Sequence, residues 1–155
     1  MTQAVTTSGL PSVGEIPWGS HVCQFYRERQ DLVESLVPFF KAGLDNNEAC
    51  LWVTAEPFRA TDAHDALKAA VPSHDKRIKQ GQIQIVDHDE WYTLDSAQPD
   101  ADSLINGWLA RTDQALTRGF NGLRLTGNLY WLKKDDWRDF VQYEQTVNET
   151  FRQHR

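Results

Sequence analysis

Residues 19–44, GSHVCQFYRERQDLVESLVPFFKAGL, begin with the pattern of a strand and continue with the pattern of a helix. In HVCQFY, the alternate residues His21, Cys23 and Phe25 share one face, as they would in a β-strand. A nucleotide-binding α/β protein carries a glycine-rich phosphate loop in the turn that follows such a strand. Residues 26–30 contain no glycine. The stretch therefore predicts an α/β domain whose phosphate loop is missing.

The rest of the chain alternates strand and helix patterns. Helical spacing follows the first strand, with Asp31 as the predicted cap and Pro38 expected to kink or divide the helix. The apolar run 49–55 predicts a strand buried on both faces. This order predicts an α/β fold with a mostly parallel sheet and helices on both of its faces. Further strands are predicted at 82–88 and 122–132, and further helices at 61–71, 102–119 and 135–151.

Length and composition bound the class of protein. The 155 residues suit one domain, with residues 1–17, rich in Thr, Ser, Gly and Pro, predicted as a flexible arm and residues 18–155 as the folded part. No apolar run approaches the ~20 residues of a membrane span and no signal peptide pattern occurs, so a cytoplasmic protein is expected. The net charge of −6, with scattered basic residues, argues against direct nucleic-acid binding. The one dense basic stretch, HDKRIKQ (74–80), is interpreted as a solvated connection.

The carboxyl ends of parallel strands are the expected place for a ligand. Residues at these ends are aromatic and mixed in charge, which suits a small organic molecule better than a triphosphate. Trp52, Trp91 and Trp131 lie in or near the strand ends, where each could line a pocket or pack in the core. The strand-end candidates are Tyr26, Arg27, Glu56, Asp87, His88, Asp89, Trp91, Gly127, Asn128, Tyr130 and Trp131.

His21 and Cys23 stand on one face of the first predicted strand. They could bind a metal with Cys50 or His88 as a further ligand, contact a small molecule or respond to redox, or simply pack in the core. Structural zinc sites normally show two ligand pairs, and only one occurs here. A catalytic thiol is not expected, because residues inside a strand are usually covered.

Glu144 and Asn148 fall on the apolar stripe of the last predicted helix. A carboxylate on such a face requires a partner. Arg124, inside the apolar strand GLRLTG, is the predicted partner. The pair is interpreted either as a tie that holds helix to sheet or as an anchor that orients a polar ligand.

Five stretches of the chain resemble a known family: WGSHVCQFY, LVPFFKAGL, EACLWVTAE, GFNGLRLTGNLYWL and YEQTVNETF. Together and in this order, they resemble the MEDS domain, the methanogen/methylotroph sensory domain found in the dichloromethane-responsive regulator. The resemblance spans residues 18–151. It implies a degenerate RecA-like or KaiC-like core that lacks the nucleotide-binding loop.

The resemblance also implies a function. Such domains are thought to detect simple hydrocarbon derivatives and to accompany histidine kinases, helix-turn-helix regulators or other signalling modules. Where many relatives place an acidic residue after the glycine of the fourth strand, this chain has Asn128, so its ligand need not match theirs. The family's His-x-Cys motif falls on His21 and Cys23, and its Tyr-Glu…Asn motif falls on Tyr143, Glu144 and Asn148.

Residues and resemblance together predict a non-catalytic sensory domain that binds a small organic ligand and signals to a kinase or transcription-regulator partner. The alternative is a metal- or redox-responsive module that uses His21 and Cys23. An enzyme is not expected, since no phosphate loop or nucleophile–base set can be assembled, and no cofactor is assigned. The chain could act alone, as a homodimer, with another chain or within a longer regulator. The predicted ligand-binding residues are His21, Cys23, Tyr26, Arg27, Trp52, Glu56, Trp91, Arg124, Asn128, Trp131, Glu144 and Asn148.

Overall fold

The computed structural model describes residues 4–93, 101–127 and 137–152. Its strands are β1 (Val5–Thr7), β2 (Glu15–Pro17), β3 (Ala49–Thr54), β4 (Ile83–Asp87) and β5 (Leu123–Thr126). Its helices are α1 (Arg29–Asp45), α2 (Ala60–Ala70), α3 (His74–Lys79), α4 (His88–Thr93), α5 (Ala101–Thr117) and α6 (Trp137–Phe151). Among these described helices, none combines the length and apolar character needed to cross a membrane.

Strands β3, β4 and β5 form a parallel sheet in the order β4-β3-β5. The central strand pairs Trp52 with Ile85 on one side and with Thr126 on the other. All six residues of β3 are buried, which confirms the prediction from the apolar run 49–55. The α/β class is therefore confirmed. Positions 128–132 of the predicted fourth strand lie outside the described residues.

The larger core lies between the sheet and the helices α1 and α2. Trp52 is 1% exposed and stacks on Phe40 of α1 at a centroid distance of 4.9 Å and on Phe58 at 5.8 Å. Leu67 of α2 and Ile83 of β4 belong to the same buried cluster. Burying a large apolar side chain stabilises a fold by about 1.5–3 kcal/mol. This cluster is thus the main attachment of α1 and α2 to the sheet.

A second, smaller core uses the alternate residues of β3. Leu51 and Val53 cluster with Trp108 of α5, and Phe151 of α6 packs against them. Successive side chains of a strand point in opposite directions. Helices α5 and α6 therefore contact the sheet through β3 side chains that do not belong to the larger core.

Helix α1 begins at Arg29, before the predicted cap Asp31. The Asp31 carboxylate accepts the backbone N–H of Glu28 at 3.2 Å, so it satisfies a donor at the start of the helix from within the first turn. The helix continues through Pro38 and is not divided there. Burial of the neighbouring Phe40 outweighs the one backbone hydrogen bond that proline removes.

The predicted first strand is wrong. Residues 21–26 have no regular secondary structure, and Phe25 is 87% exposed. Alternating side chains indicate only a local preference for extended backbone. A β-strand also needs a neighbouring strand to pair with. Within the described ranges, no strand is paired with this segment.

The N-terminal region also differs from the expectation of a flexible arm. Strands β1 and β2 form an antiparallel hairpin, and the Ser8 N–H donates to the Gly14 carbonyl at 2.8 Å. The carbonyls of Thr7 and Ser8 each accept a hydrogen bond of 2.8 Å from the buried guanidinium of Arg124. Composition cannot show this anchor, because it lies far along the chain in β5.

Candidate functional site

The His-x-Cys segment meets helix α6 at a half-buried surface. His21 Nε2 lies 3.3 Å from Glu144 Oε2, and the two side chains are 25% and 22% exposed. Cys23 is an exposed free thiol. Partial burial raises the pKa of Cys23, and the negative charge of Glu144 raises it further. These three residues, His21, Cys23 and Glu144, are called the His21–Glu144 site below.

The chain reaches this site through a close approach to the end of α6. Gly19 has a φ of +77°, and a Cβ at this position would lie 2.0 Å from the carbonyl oxygen of Phe151. Only glycine combines that backbone conformation with that contact. Further on, the side-chain amide of Gln24 donates to the Ser35 hydroxyl of α1. Segment 19–24 therefore extends from α6 to α1 and is held by individual contacts.

An aromatic cluster adjoins Glu144. The Trp108 indole hydrogen-bonds the Tyr143 side chain, while burial raises the pKa of Tyr143. Trp108 also stacks on Trp91, with centroids 5.2 Å apart and an interplanar angle of 5°. The Arg111 guanidinium lies 4.1 Å from the centroid of the Trp91 ring. Trp91, predicted as a ligand contact, is thus connected to the His21–Glu144 site through Trp108 and Tyr143.

The predicted pairing of Arg124 with Glu144 is wrong. Arg124 Nε instead lies 2.6 Å from Glu48 Oε2, and these side chains are 4% and 1% exposed. Its Nη1 also donates to the Phe39 carbonyl at 2.7 Å. In the parallel register Arg124 is opposite Cys50, on the side where α1 packs, whereas Phe151 of α6 packs on the alternate residues of β3. Glu144 of α6 contacts His21 instead.

The carboxyl ends of β3 and β4 carry a hydrogen-bonded polar network. Asp87 Oδ1 accepts from the Thr54 hydroxyl at 2.7 Å and from the Ala60 N–H at 2.8 Å. Arg59 Nε lies 3.0 Å from Glu56 Oε1, and its Nη1 lies 3.9 Å from Asp87 Oδ2. These groups satisfy one another, so the predicted Glu56 serves here as an ion-pair partner.

At the end of β5, the Thr126 hydroxyl oxygen is buried and has no hydrogen-bond partner among the described residues. The positions that follow it include Asn128 and Trp131, two predicted ligand contacts. Both lie outside the described residues.

The remaining predicted residues do not converge on one cavity. Tyr26 is 47% exposed, and Arg27 is exposed beside it. Trp52 lies in the larger core, and Asn148 is partly buried one turn after Glu144 on α6. No described hydrogen bond or ion pair joins the side chains of Tyr26 or Arg27 to Glu56.

The potential metal ligands are dispersed. Cys50 is buried in the larger core, and burial strongly raises the pKa of its thiol. His88 pairs instead with Asp89, with Nδ1 and Oδ1 3.1 Å apart. Over residues 4–93, 101–127 and 137–152, no three His, Cys, Asp or Glu side chains are grouped closely enough to hold a metal ion.

The fold and the site define an α/β domain in which an N-terminal segment docks on the last helix. The family profile described as MEDS, "MEthanogen/methylotroph, DcmR Sensory domain", matches residues 20–155, and the chain belongs to this family of sensory domains. Searches among curated proteins and among solved structures found no match. The resemblance seen in the sequence is therefore confirmed at the level of the family.

Proposed function

We propose that this domain is a non-catalytic sensor that binds a small organic molecule, a simple hydrocarbon derivative, and signals to a histidine kinase or another regulatory protein. Membership of a sensory family supports the sensory role. We further infer a degenerate RecA-like or KaiC-like core with helices on both faces of the sheet. The same proposal places the protein in the cytoplasm, in two-component or transcriptional control, without direct contact with nucleic acid or membrane and with a homodimer as one possible assembly.

The contact between His21 and Glu144 carries this proposal. Even when His21 is charged, a contact with this degree of exposure contributes only about 0–1 kcal/mol. A ligand therefore needs only a modest difference in affinity between docked and released states of segment 19–24 to shift their populations. A weak, solvent-accessible contact between the His-x-Cys and Tyr-Glu segments is well suited to reversible sensing.

The chemistry around this contact favours a small molecule with one polarised group. Glu144 supplies an acceptor and His21 a ring nitrogen that donates or accepts according to its tautomer. Tyr143, next to Glu144 on α6, is a partly buried aromatic side chain that hydrogen-bonds the buried Trp108. Pockets for small ligands typically combine apolar walls with a few polar groups. A nucleotide triphosphate would meet a carboxylate and no phosphate loop.

The state of Cys23 supports a binding role. The thiolate is the nucleophilic form of cysteine. Burial and Glu144 both raise the pKa of Cys23, so the thiol stays protonated at neutral pH. The arrangement therefore lacks the activation that covalent catalysis by a cysteine requires.

Dichloromethane and methanol are the probes for a direct test, with thermal unfolding and tryptophan emission as readouts. A probe held at about 100 times its Kd stabilises the protein by about 2.7 kcal/mol. Glu144→Gln should weaken binding of the tighter probe about tenfold, because it removes the charge that holds His21. Glu149→Gln, the same change at an exposed position of α6, should leave binding unchanged. Equal binding by both variants, or saturable binding of neither probe, would contradict the proposal.

The second candidate function is a metal or redox response through His21 and Cys23. The exposure of the free Cys23 thiol close to His21 favours it. Elemental analysis of the purified protein and of a Cys23→Ser variant separates the two functions. Stoichiometric metal that disappears with the thiol would support the second, and a metal-free protein that binds an organic probe would support the first.

A further inference from the structure

A recess of about 360 Å³ lies beside the outer edge of β4. Ile78, Ile83 and Ile85 line it, with Ile83 and Ile85 only 2% and 8% exposed, and His64, Gln84 and Arg118 are its polar side chains. None of these residues belongs to the His21–Glu144 site. This space, called the β4-edge recess, is at the small end of the range for ligand pockets and is too small for a nucleotide.

Asp75, His74 and His64 form a chain of hydrogen bonds that ends at His64. The Asp75 carboxylate can only accept, so His74 donates to it from Nδ1 at 3.0 Å. His74 is buried, and its Nε2 lies 3.2 Å from His64 Nδ1, so the two rings share one hydrogen bond. The Nε2 atom of His64 is left as the nitrogen that can accept a proton or meet a ligand.

Arg118 brings a positive charge to the recess. Its Nη1 and Nη2 donate to the carbonyls of Gly81 and Gln80 at 3.1 and 2.9 Å. A guanidinium has five N–H donors, so three remain for other acceptors. Within the described part of the chain, no carboxylate lies within ion-pair distance of Arg118.

The strand edge adds backbone donors. The Cys50 N–H donates to the Gln82 carbonyl at 2.7 Å, which directs the peptide groups of alternate β4 residues toward β3. The peptide groups of Ile83 and Ile85 therefore face away from β3, toward the recess that these residues line. Among the described strands, none pairs with this outer edge.

We infer that the β4-edge recess binds a small aliphatic monocarboxylate. The apolar tail contacts Ile78 and the accessible parts of Ile83 and Ile85, and the carboxylate meets His64 and the N–H groups of Arg118 that do not bond the Gly81 and Gln80 carbonyls. A planar guanidinium matches a carboxylate better than any other side chain does. A neutral molecule would leave the charge of Arg118 without a counter-charge. A dianion would carry more negative charge than one guanidinium and one imidazole can neutralise.

The test uses the full chain and 3-methylbutanoate, followed by NMR of the isoleucine methyl groups. Saturable shifts are expected at Ile83 and Ile85. The neutral isostere 3-methylbutanamide should bind about tenfold more weakly or worse, because it loses the charged hydrogen bonds. Acetate, which lacks the tail, should also bind about tenfold more weakly. This comparison uses the unaltered protein, so it does not depend on the folding of any variant.

Two variants test whether the carboxylate binds at Arg118. Arg118→Met should weaken 3-methylbutanoate binding about tenfold, and Lys79→Met, which removes an exposed cation of α3, should change it by less than about twofold. Three results would overturn the inference: equal binding of acid and amide, methyl shifts confined to residues outside the recess, or no saturation at about ten times a millimolar Kd.

The pH dependence is a second arm of the same test. Burial lowers the pKa of His64, and His74 lowers it further. A bound carboxylate favours the protonated imidazole, so affinity should rise as the pH falls from about 8 to about 6, where the ligand stays ionised. His64→Gln should abolish this pH dependence, and its persistence in that variant would count against the inference. The other charged groups around His64 are Asp65 on α2, Asp75 on α3 with its partner Lys68, and Arg118 across the recess.

Discussion

Arg124 is buried and donates hydrogen bonds to Glu48 and to the carbonyls of Thr7, Ser8 and Phe39. Glu48, 1% exposed, is its ionic partner and also accepts hydrogen bonds from Thr6 and Asn46. Glu48→Ala would leave a buried guanidinium without its counter-charge, so the free energy of unfolding should fall by about 3–5 kcal/mol. A urea titration measures the loss. If the variant is too unstable to fold, Glu48→Gln, which keeps one acceptor, should show an intermediate loss.

Glu144→Ala serves as the comparison. Glu144 contacts the half-buried His21 and leaves no buried charge behind, so the same titration should show a loss of about 1 kcal/mol or less. A loss for Glu144→Ala as large as that for Glu48→Ala would show that the partners of Arg124 have been misassigned.

The alkylation rate of Cys23 reports on the negative charge of Glu144. The negative charge of Glu144 helps to raise the pKa of the thiol, and only the thiolate reacts with iodoacetamide. Glu144→Gln should therefore lower that pKa and speed alkylation of Cys23 near neutral pH, where the protonated form dominates. Glu149→Gln should leave the rate unchanged. Identical rates in the two variants would place Cys23 outside the field of Glu144.

Single residues show where prediction from the sequence stops. The apolar stripe of the last helix predicts that Glu144 needs a partner, and the structure supplies His21 rather than the predicted Arg124. The stripe is visible in the sequence, whereas the packing of one helix against one side of a sheet is not. Glu48, directly before the apolar run of β3, carried a signal that was missed: an acidic residue at the start of a fully buried strand is itself buried and requires a cation.

At the scale of elements, Gly19 tests how segment 19–24 is held on α6. Gly19→Ala would place a Cβ 2.0 Å from the Phe151 carbonyl oxygen, in addition to the strain of a positive φ. Gly14→Ala has the same kind of φ strain but meets nothing within 4 Å. Each should lose about 1–2 kcal/mol from the backbone conformation, and Gly19→Ala should lose clearly more in a thermal unfolding experiment. Equal losses would mean that the segment does not approach α6.

The elements also differ in how far sequence determines them. The strand at 49–54 was predictable because burial on both sides leaves a continuous apolar run. Helix α5 was predictable because its apolar stripe ends at Gly119, which has a positive φ. The segment 21–26 has the side-chain pattern of a strand, but its state depends on a neighbour far away in the sequence. The hairpin β1–β2 is a similar case. Its anchor, Arg124, lies far along the chain, so the local composition alone predicts a flexible arm.

At the scale of the molecule, one segment connects several parts of the domain. Residues 19–24 touch α6 at Phe151 and Glu144 and touch α1 at Ser35. The hairpin that precedes them is fixed by the buried pair of Arg124 and Glu48. A rigid anchor on one side and weak contacts on the other allow this segment to move while the core stays intact.

Amide hydrogen exchange of the full chain, with and without saturating dichloromethane, tests the central claim that this segment is the responsive part of a sensor. We expect dichloromethane to change the protection of residues 19–27 and of α6 and to leave β3 and the hairpin unchanged. Glu144→Gln should reduce that change and Glu149→Gln should preserve it. Saturable binding that alters exchange only around 55–60 and 87–91, at the strand ends, would show that segment 19–24 is not the responsive part.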